Sequence, residues 1–137
     1  MVEGISHITF IVKDLEKTKR LIVEVLGGRE VYSSGDATFS IAREKFFVVG
    51  ETWIAIMQGE PLAERTYNHV AFKIGVEDLP RCRAAIGRLG LDIREARPRV
   101  EGEGHSIYFH DYDNHLLELH TGTLDARLAP YAKGKEE

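Results

Sequence analysis

The chain repeats itself, and the repeat is the feature that most restricts what it can fold into. Segments of like pattern recur at an offset of about 62 to 63 residues: one half opens with SHITFIVKDL and closes with WIAIMQG, the other opens with NHVAFKIGVEDL and closes with LLELHTG. His7 matches His69, and Trp53 to Gly59 matches Leu116 to Gly122. Self-similarity of this kind is the mark of one supersecondary unit used twice. The 137 residues suit one domain of ordinary size. A single domain over 1–122 is therefore expected, built of repeats at about 4–60 and 66–122, with 123–137 as a C-terminal helical segment (LDARLAPYA) ending in a frayed, charged KGKEE.

Each half reads as βαβββ, which makes the class α+β. Asp14 and Asp78 are candidate N-caps, and apolar residues recur at helical spacing at Leu15, Ile22, Val25 and Leu26, and at Leu79, Cys82, Ile86 and Leu89. Pro80 suits a first helical turn, while Gly27 or Gly28 and Gly90 stand where left-handed C-terminal caps would end the helices. Strand-like runs follow: REV, TFSIA, KFFVV and WIAIM in the first half, DIREA, SIYFH and HLLELH in the second.

Charge and composition exclude whole classes of partner. With 18 Lys and Arg against 22 Asp and Glu the net charge is −4, so neither nucleic acid nor an anionic membrane surface is expected as a partner. No apolar run approaches a bilayer span, and no basic segment precedes the apolar run of MVEGISHITFIV, which places the protein in the cytoplasm. Cys82 is the single cysteine, and its apolar neighbours at helical spacing mark it as core rather than nucleophile.

Strand parity indicates where chemistry can face, because side chains alternate between the two sides of a sheet. Ile8, Phe10 and Val12 oppose His7 and Thr9; Val70, Phe72 and Ile74 oppose Tyr67 and His69; Ile107 and Phe109 oppose Ser106 and Tyr108; Leu117 and Leu119 oppose Glu118 and His120. The polar sides carry histidines, hydroxyls and a carboxylate rather than the Lys, Arg and Glu of a solvated sheet, which suggests a cavity wall. His7, His69 and Glu118 are the candidate ligands of a divalent ion, since imidazole nitrogen and carboxylate oxygen suit manganese, iron or zinc. Ala55 stands at the repeat position of Glu118, so an ion would have three protein ligands and open positions for substrate. His105, His110, His115 and His120 lack repeat support and read as surface or supporting residues.

From about residue 4 to 131 the sequence resembles the fosfomycin-resistance proteins of the vicinal oxygen chelate (glyoxalase/bleomycin-resistance) superfamily, and among them the FosX-type epoxide hydrolases. The resemblance is carried by SHITFIVKDL, YSSGDATFSIAREKFF, ERTYNHVAF, RPRVEGEGHSIYF and DNHLLELHTGTLDARL. It implies manganese, or another divalent metal, on His7, His69 and Glu118. It also implies a homodimer whose paired βαβββ units form cup-shaped sheets around a site with His7 from one chain and His69 with Glu118 from the other.

The same resemblance assigns the reaction: hydrolytic opening of the fosfomycin epoxide to a diol. Glu44 is similar to the family's general base, although a Glu between Arg43 and Lys45 would on its own read as a solvated turn residue. A base must lie within hydrogen-bond reach of the water it activates. Thr9 is implied as a donor to the oxirane oxygen, and Tyr108 and Arg127 as phosphonate contacts, the arginine through a charge-assisted pair. Tyr67, Ser106 and Trp53 complete the implied substrate site, with core packing as the alternative for Tyr67 and Trp53.

Three other readings share the fold. One is a transferase adding glutathione or another thiol to the same epoxide; the Lys and Ser-rich potassium loop of such enzymes is not reproduced in RPRVEGEGHS, where Pro98 and Gly102 stand instead. A second is a metal-free drug-sequestering protein, against which the intact triad argues. A third, an iron-dependent dioxygenase, would keep the triad, but the short chain and the basic, hydroxyl-rich site favour a phosphonate. Fold alone could not choose among these.

Overall fold

The computed structural model describes residues 1–36, 42–94 and 104–136. The chain divides into two compact units, Met1–Arg65 with Asp111–His115, and Thr66–His110 with Leu116–Glu137. Each contains one four-stranded sheet, and the expected βαβββ order is present in both.

In the first unit the strands are β1 (His7–Val12), β2 (Arg29–Ser33), β3 (Glu44–Val49) and β4 (Thr52–Gln58), with helix α1 (Leu15–Glu24) after β1. Their order in the sheet is β1-β4-β3-β2. β1 runs parallel to β4, the one pairing that needs a long crossover, and the β3–β4 turn closes tightly at Gly50, whose φ is +59°. α1 begins where the sequence places it, because the Asp14 carboxylate accepts from the N–H groups of Glu16 and Lys17 at 3.0 and 3.1 Å. It ends at a left-handed glycine, Gly27.

The core of this unit lies on the helix side of the sheet. Val12, Leu21, Ile22, Val25, Phe47, Ile54 and Ile56 are buried there, each worth about 1.5–3 kcal/mol for the larger side chains. Lys45 shares that side of β3 with Phe47 and Val49, and it is buried only because its ammonium reaches Glu30 at 2.8 Å and Glu16 at 3.3 Å.

The short segment Asp111–His115 belongs to this unit. Asp113, 1% exposed, accepts from the Lys13 N–H at 2.9 Å, and its carbonyl accepts from the Leu62 N–H at 3.2 Å. Asp111 closes the turn by accepting from the N–H groups of Asp113 and His115, both at 2.8 Å, and pairs with the His115 ring at 2.7 Å.

The second unit repeats the plan with β5 (His69–Lys73), α2 (Leu79–Arg88), β6 (Ile93–Arg94), β7 (Ser106–His110) and β8 (Leu116–His120), in the sheet order β5-β8-β7-β6. Pro80 falls in the first turn of α2 and Gly90 ends it with a φ of +69°. Asp78 departs from its expected role. A 3₁₀ turn over Val76–Asp78 precedes α2, which holds Asp78 in helical backbone (φ −91°, ψ −10°), and its carboxylate makes no capping hydrogen bond. A residue already helical cannot fold its side chain back over the first N–H groups.

Helix α3 spans Leu124–Glu136, so helical backbone continues beyond LDARLAPYA into the charged end. Most of TFSIA, the end of DIREA, and Pro98 and Gly102 lie outside the described residues.

Candidate metal centre

Sheet register lines up the candidate residues of the first unit. β1, β4 and β3 form three cross-strand rows on the side away from α1: His7, Trp53 and Val48; Thr9, Ala55 and Phe46; Ile11, Met57 and Glu44. His7, Thr9, Trp53 and Glu44 thus share one face. The His7 ring stacks on Trp53 with centroids 4.1 Å apart, and the Phe46 ring meets the indole edge-on at 5.2 Å. His7 Nδ1 is 3.0 Å from the Ser6 hydroxyl.

Glu44 is not the solvated turn residue its charged neighbours suggest. It opens β3 and is 9% exposed; its N–H donates to the Ser34 hydroxyl oxygen and its carbonyl accepts from the Ser34 N–H, both at 3.0 Å. Among the described residues no side chain pairs with its carboxylate, which leaves both oxygens available beside Met57 and Ile11.

In the second unit the rows are His69, Leu116 and His110; Ala71, Glu118 and Tyr108; and Lys73, His120 and Ser106. Glu118 lies in the middle row, 4% exposed. Its Oε1 is 3.1 Å from His69 Nε2, and its Oε2 accepts from the Ser106 hydroxyl at 2.6 Å. Burial pushes the carboxyl up, but the hydroxyls of Ser106 and Tyr108 and the neighbouring His120 and His69 rings outweigh it and hold Glu118 below the usual range.

The tautomer of His69 decides what that pair can do. Nδ1 lies 2.7 Å from the Tyr67 carbonyl oxygen, which only accepts, so Nδ1 carries a proton. Neutral His69 then turns the lone pair of Nε2 toward a carboxylate oxygen that is itself an acceptor. Two electron pairs 3.1 Å apart call for a cation between or beside them, either a proton or a metal ion. Imidazole oriented through its other nitrogen and a carboxylate oriented through its other oxygen are the donor set of a divalent metal site.

Tyr67 and Tyr108 flank this pair. The Tyr67 hydroxyl donates to that of Tyr108 at 3.4 Å, and the two rings are 6.0 Å apart. The second unit therefore gathers His69, Glu118, Tyr108, Tyr67 and Ser106, as the parity argument expected. Arg127 stands on α3, half-buried, with its N–H bonded to the Thr123 carbonyl at 3.0 Å. His120, read from the sequence as a surface or supporting residue, touches both Ser106 and Glu118 from its place two residues after Glu118 on the same strand face. Arg94 is a residue that the sequence reading did not single out. The Arg94 guanidinium lies 5.0 Å from the Tyr67 ring centroid and opposite Tyr108 in register. Among the described residues its strand covers only Ile93 and Arg94.

Residues 4–119 match the family model for the Glyoxalase/Bleomycin resistance protein/Dioxygenase superfamily. The fosfomycin resistance protein FosX of Mesorhizobium japonicum is 61% identical over 136 residues, covering 99% of this chain and 98% of the relative. FosX of Listeria innocua is 55% identical, covering 97% and 100%. Among solved structures, a glutamate-to-glutamine mutant of FosX from Listeria monocytogenes complexed with Mn(II) and 1S,2S-dihydroxypropylphosphonic acid is 50% identical. It superposes with a TM-score of 0.86, covering 96% of this chain and 99% of that one. With a repeat, sheet topology and polar strand faces that accord with this match over nearly its full length, the chain belongs to the FosX-type fosfomycin-resistance proteins of the glyoxalase/bleomycin-resistance superfamily.

Proposed function

We propose that this chain inactivates fosfomycin by adding water across its epoxide, with Mn(II) as the cofactor. The observation that carries the reading is His69 Nε2 at 3.1 Å from Glu118 Oε1, with His69 Nδ1 held at the Tyr67 carbonyl, a pair of donors oriented for a cation. The relation to FosX proteins, one of them with Mn(II) and a dihydroxypropylphosphonic acid, supports the same metal and the same product class. His69 and Glu118 of one copy and His7 of a second would hold the ion in a homodimer, leaving positions for the substrate. When bound, the ion would act as a Lewis acid that neutralises charge on the phosphonate and on the oxygen released from the ring.

The chain's own residues would do the rest. Arg127 and Tyr108 bind the phosphonate, with Tyr67 and Ser106 beside it, and Trp53 bounds the pocket near the methyl group. Glu44 accepts a proton from water as the water oxygen bonds to an oxirane carbon. The carbon–oxygen bond of the ring breaks, its electron pair moves to oxygen, and Thr9 donates a hydrogen bond there until a proton is returned. The sum is fosfomycin plus water to the diol, with Glu44 restored. The proposal includes a cytoplasmic location, with which a single buried cysteine accords. Among the described residues no helix is long and apolar enough to cross a membrane.

Phosphorus NMR of fosfomycin with the purified protein and Mn(II) tests the reading. A diol formed without thiol and abolished by chelator is the expected result. Product only after thiol is added would make the chain a transferase, and binding that survives chelation without product would make it a sequestering protein.

A further inference from the structure

Glu118 is held from behind by a polar pair, Ser106 and His120. β7 and β8 set Ser106 directly across from His120, and the Ser106 hydroxyl lies 2.6 Å from Glu118 Oε2 and 2.7 Å from His120 Nδ1. His120 Nδ1 is itself 3.3 Å from Glu118 Oε2. A serine hydroxyl has one proton to give, and an ionised carboxylate can only accept it. The Ser106 proton therefore lies in the bond to Glu118, and the Ser106 oxygen accepts in turn from His120, whose proton is on Nδ1. Donation runs one way, from His120 through Ser106 to Glu118, and each bond polarises the next.

We infer that Ser106 and His120 are a positioning pair that fixes the Glu118 carboxylate with Oε2 engaged and Oε1 presented to the metal beside His69 Nε2. The inference rests on the metal reading proposed above. A carboxylate free at both oxygens can rotate or chelate through both, whereas one tied through Oε2 offers a single, directed donor. Partners of this kind behind a ligand set its orientation and its affinity for the ion. Ser106 thereby acts through Glu118, in addition to any contact with substrate.

The test is Mn(II) titration followed by the EPR signal of the free ion, with melting curves recorded in chelator for every protein. Wild type and Glu118→Ala come first: equal affinities would overturn the metal reading and this inference with it. Given a Glu118-dependent site, Ser106→Ala and His120→Leu are each expected to weaken Mn(II) binding by about 10- to 100-fold. His120→Asn should recover most of the affinity, because its amide N–H can occupy the place of Nδ1. Wild-type Mn(II) affinity in Ser106→Ala and His120→Leu, with only the metal-free melting temperature lowered, would reduce the pair to a structural contact and overturn the inference while leaving the metal reading intact.

Discussion

The His7 imidazole lies over the Trp53 indole, with centroids 4.1 Å apart and planes inclined by 28°. The two are register partners across the parallel β1–β4 pair, so the stack is fixed by the sheet rather than by flexible loops. Trp53 is the only tryptophan, which makes its emission a direct report on the state of His7. Titration of the metal-free protein with Mn(II) should change that emission saturably, and His7→Ala should abolish the change. Unaltered emission in wild type, when EPR shows the ion bound, would remove His7 from the ligand set.

Glu44 sits on the same sheet face two rows from His7, buried and without a side-chain partner among the described residues. Glu44→Gln keeps the shape but cannot accept a proton, so Mn(II) and fosfomycin affinities should stay within a few-fold of wild type. Hydrolysis should fall by about 100- to 10,000-fold, the range typical of a lost general base. Unchanged turnover would take Glu44 out of the mechanism.

How far the sequence could be read follows from which signals are periodic. The repeat and the alternation in HITFIV, HVAFK, SIYFH and LLELH placed His7, Thr9, His69, Tyr108 and Glu118 on one side of each sheet without any coordinates, because a strand side chain has only two directions to choose from. Glu44 was legible only through resemblance, since RE-K is the pattern of a turn and its burial depends on pairing with Met57, thirteen residues on in the sequence. Asp78 misled for a related reason: an N-cap needs extended backbone, and the 3₁₀ turn that denies it is set by local geometry rather than by residue type.

Lys45 should give the protein a stability plateau with two shoulders. The hydrogen bond from Lys45 holds Glu30 below its ordinary value of 4.5, against the cost of burial. Burial pulls Lys45 down, but Glu30 and Glu16 outweigh it and raise the ammonium above 10.5. A lowered carboxylate stabilises above its unfolded pKa and loses that contribution as pH falls through the folded one; a raised ammonium stabilises below its unfolded pKa and loses it as pH rises through the folded one. Lys45→Met should therefore cost about 2 kcal/mol near neutral pH, roughly 5 °C or more in melting temperature. Its melting temperature should also fall less steeply than that of wild type below pH 4.5, because the variant has no Lys45–Glu30 contribution left to lose there. Parallel acid limbs in the two proteins would show that the pair contributes nothing to acid sensitivity.

Gly27 and Gly28 end α1 side by side for different reasons, and alanine at each should reveal which matters more. Gly27 has a φ of +69° and open space where a Cβ would go, so Gly27→Ala meets only the left-handed backbone penalty of about 1–2 kcal/mol. A Cβ on Gly28 would fall 2.6 Å from Ile22 Cγ2 and 3.0 Å from Val49 Cγ2, between the helix and β3. Ile22 and Val49 are both buried and cannot swing into solvent, so Gly28→Ala forces apart the α1–β3 packing at a cost of about 1–3 kcal/mol or more. The two costs overlap in size but differ in remedy. Removing the neighbour's branch, as in Gly28→Ala with Ile22→Leu, should return part of the loss because leucine lacks the γ2 methyl that obstructs, whereas the same Ile22→Leu change should leave the Gly27→Ala penalty as it was. Urea unfolding of wild type, the three single variants and the two double variants measures both, and a strictly additive Gly28–Ile22 pair would show that backbone conformation, not close approach, is what keeps glycine at 28.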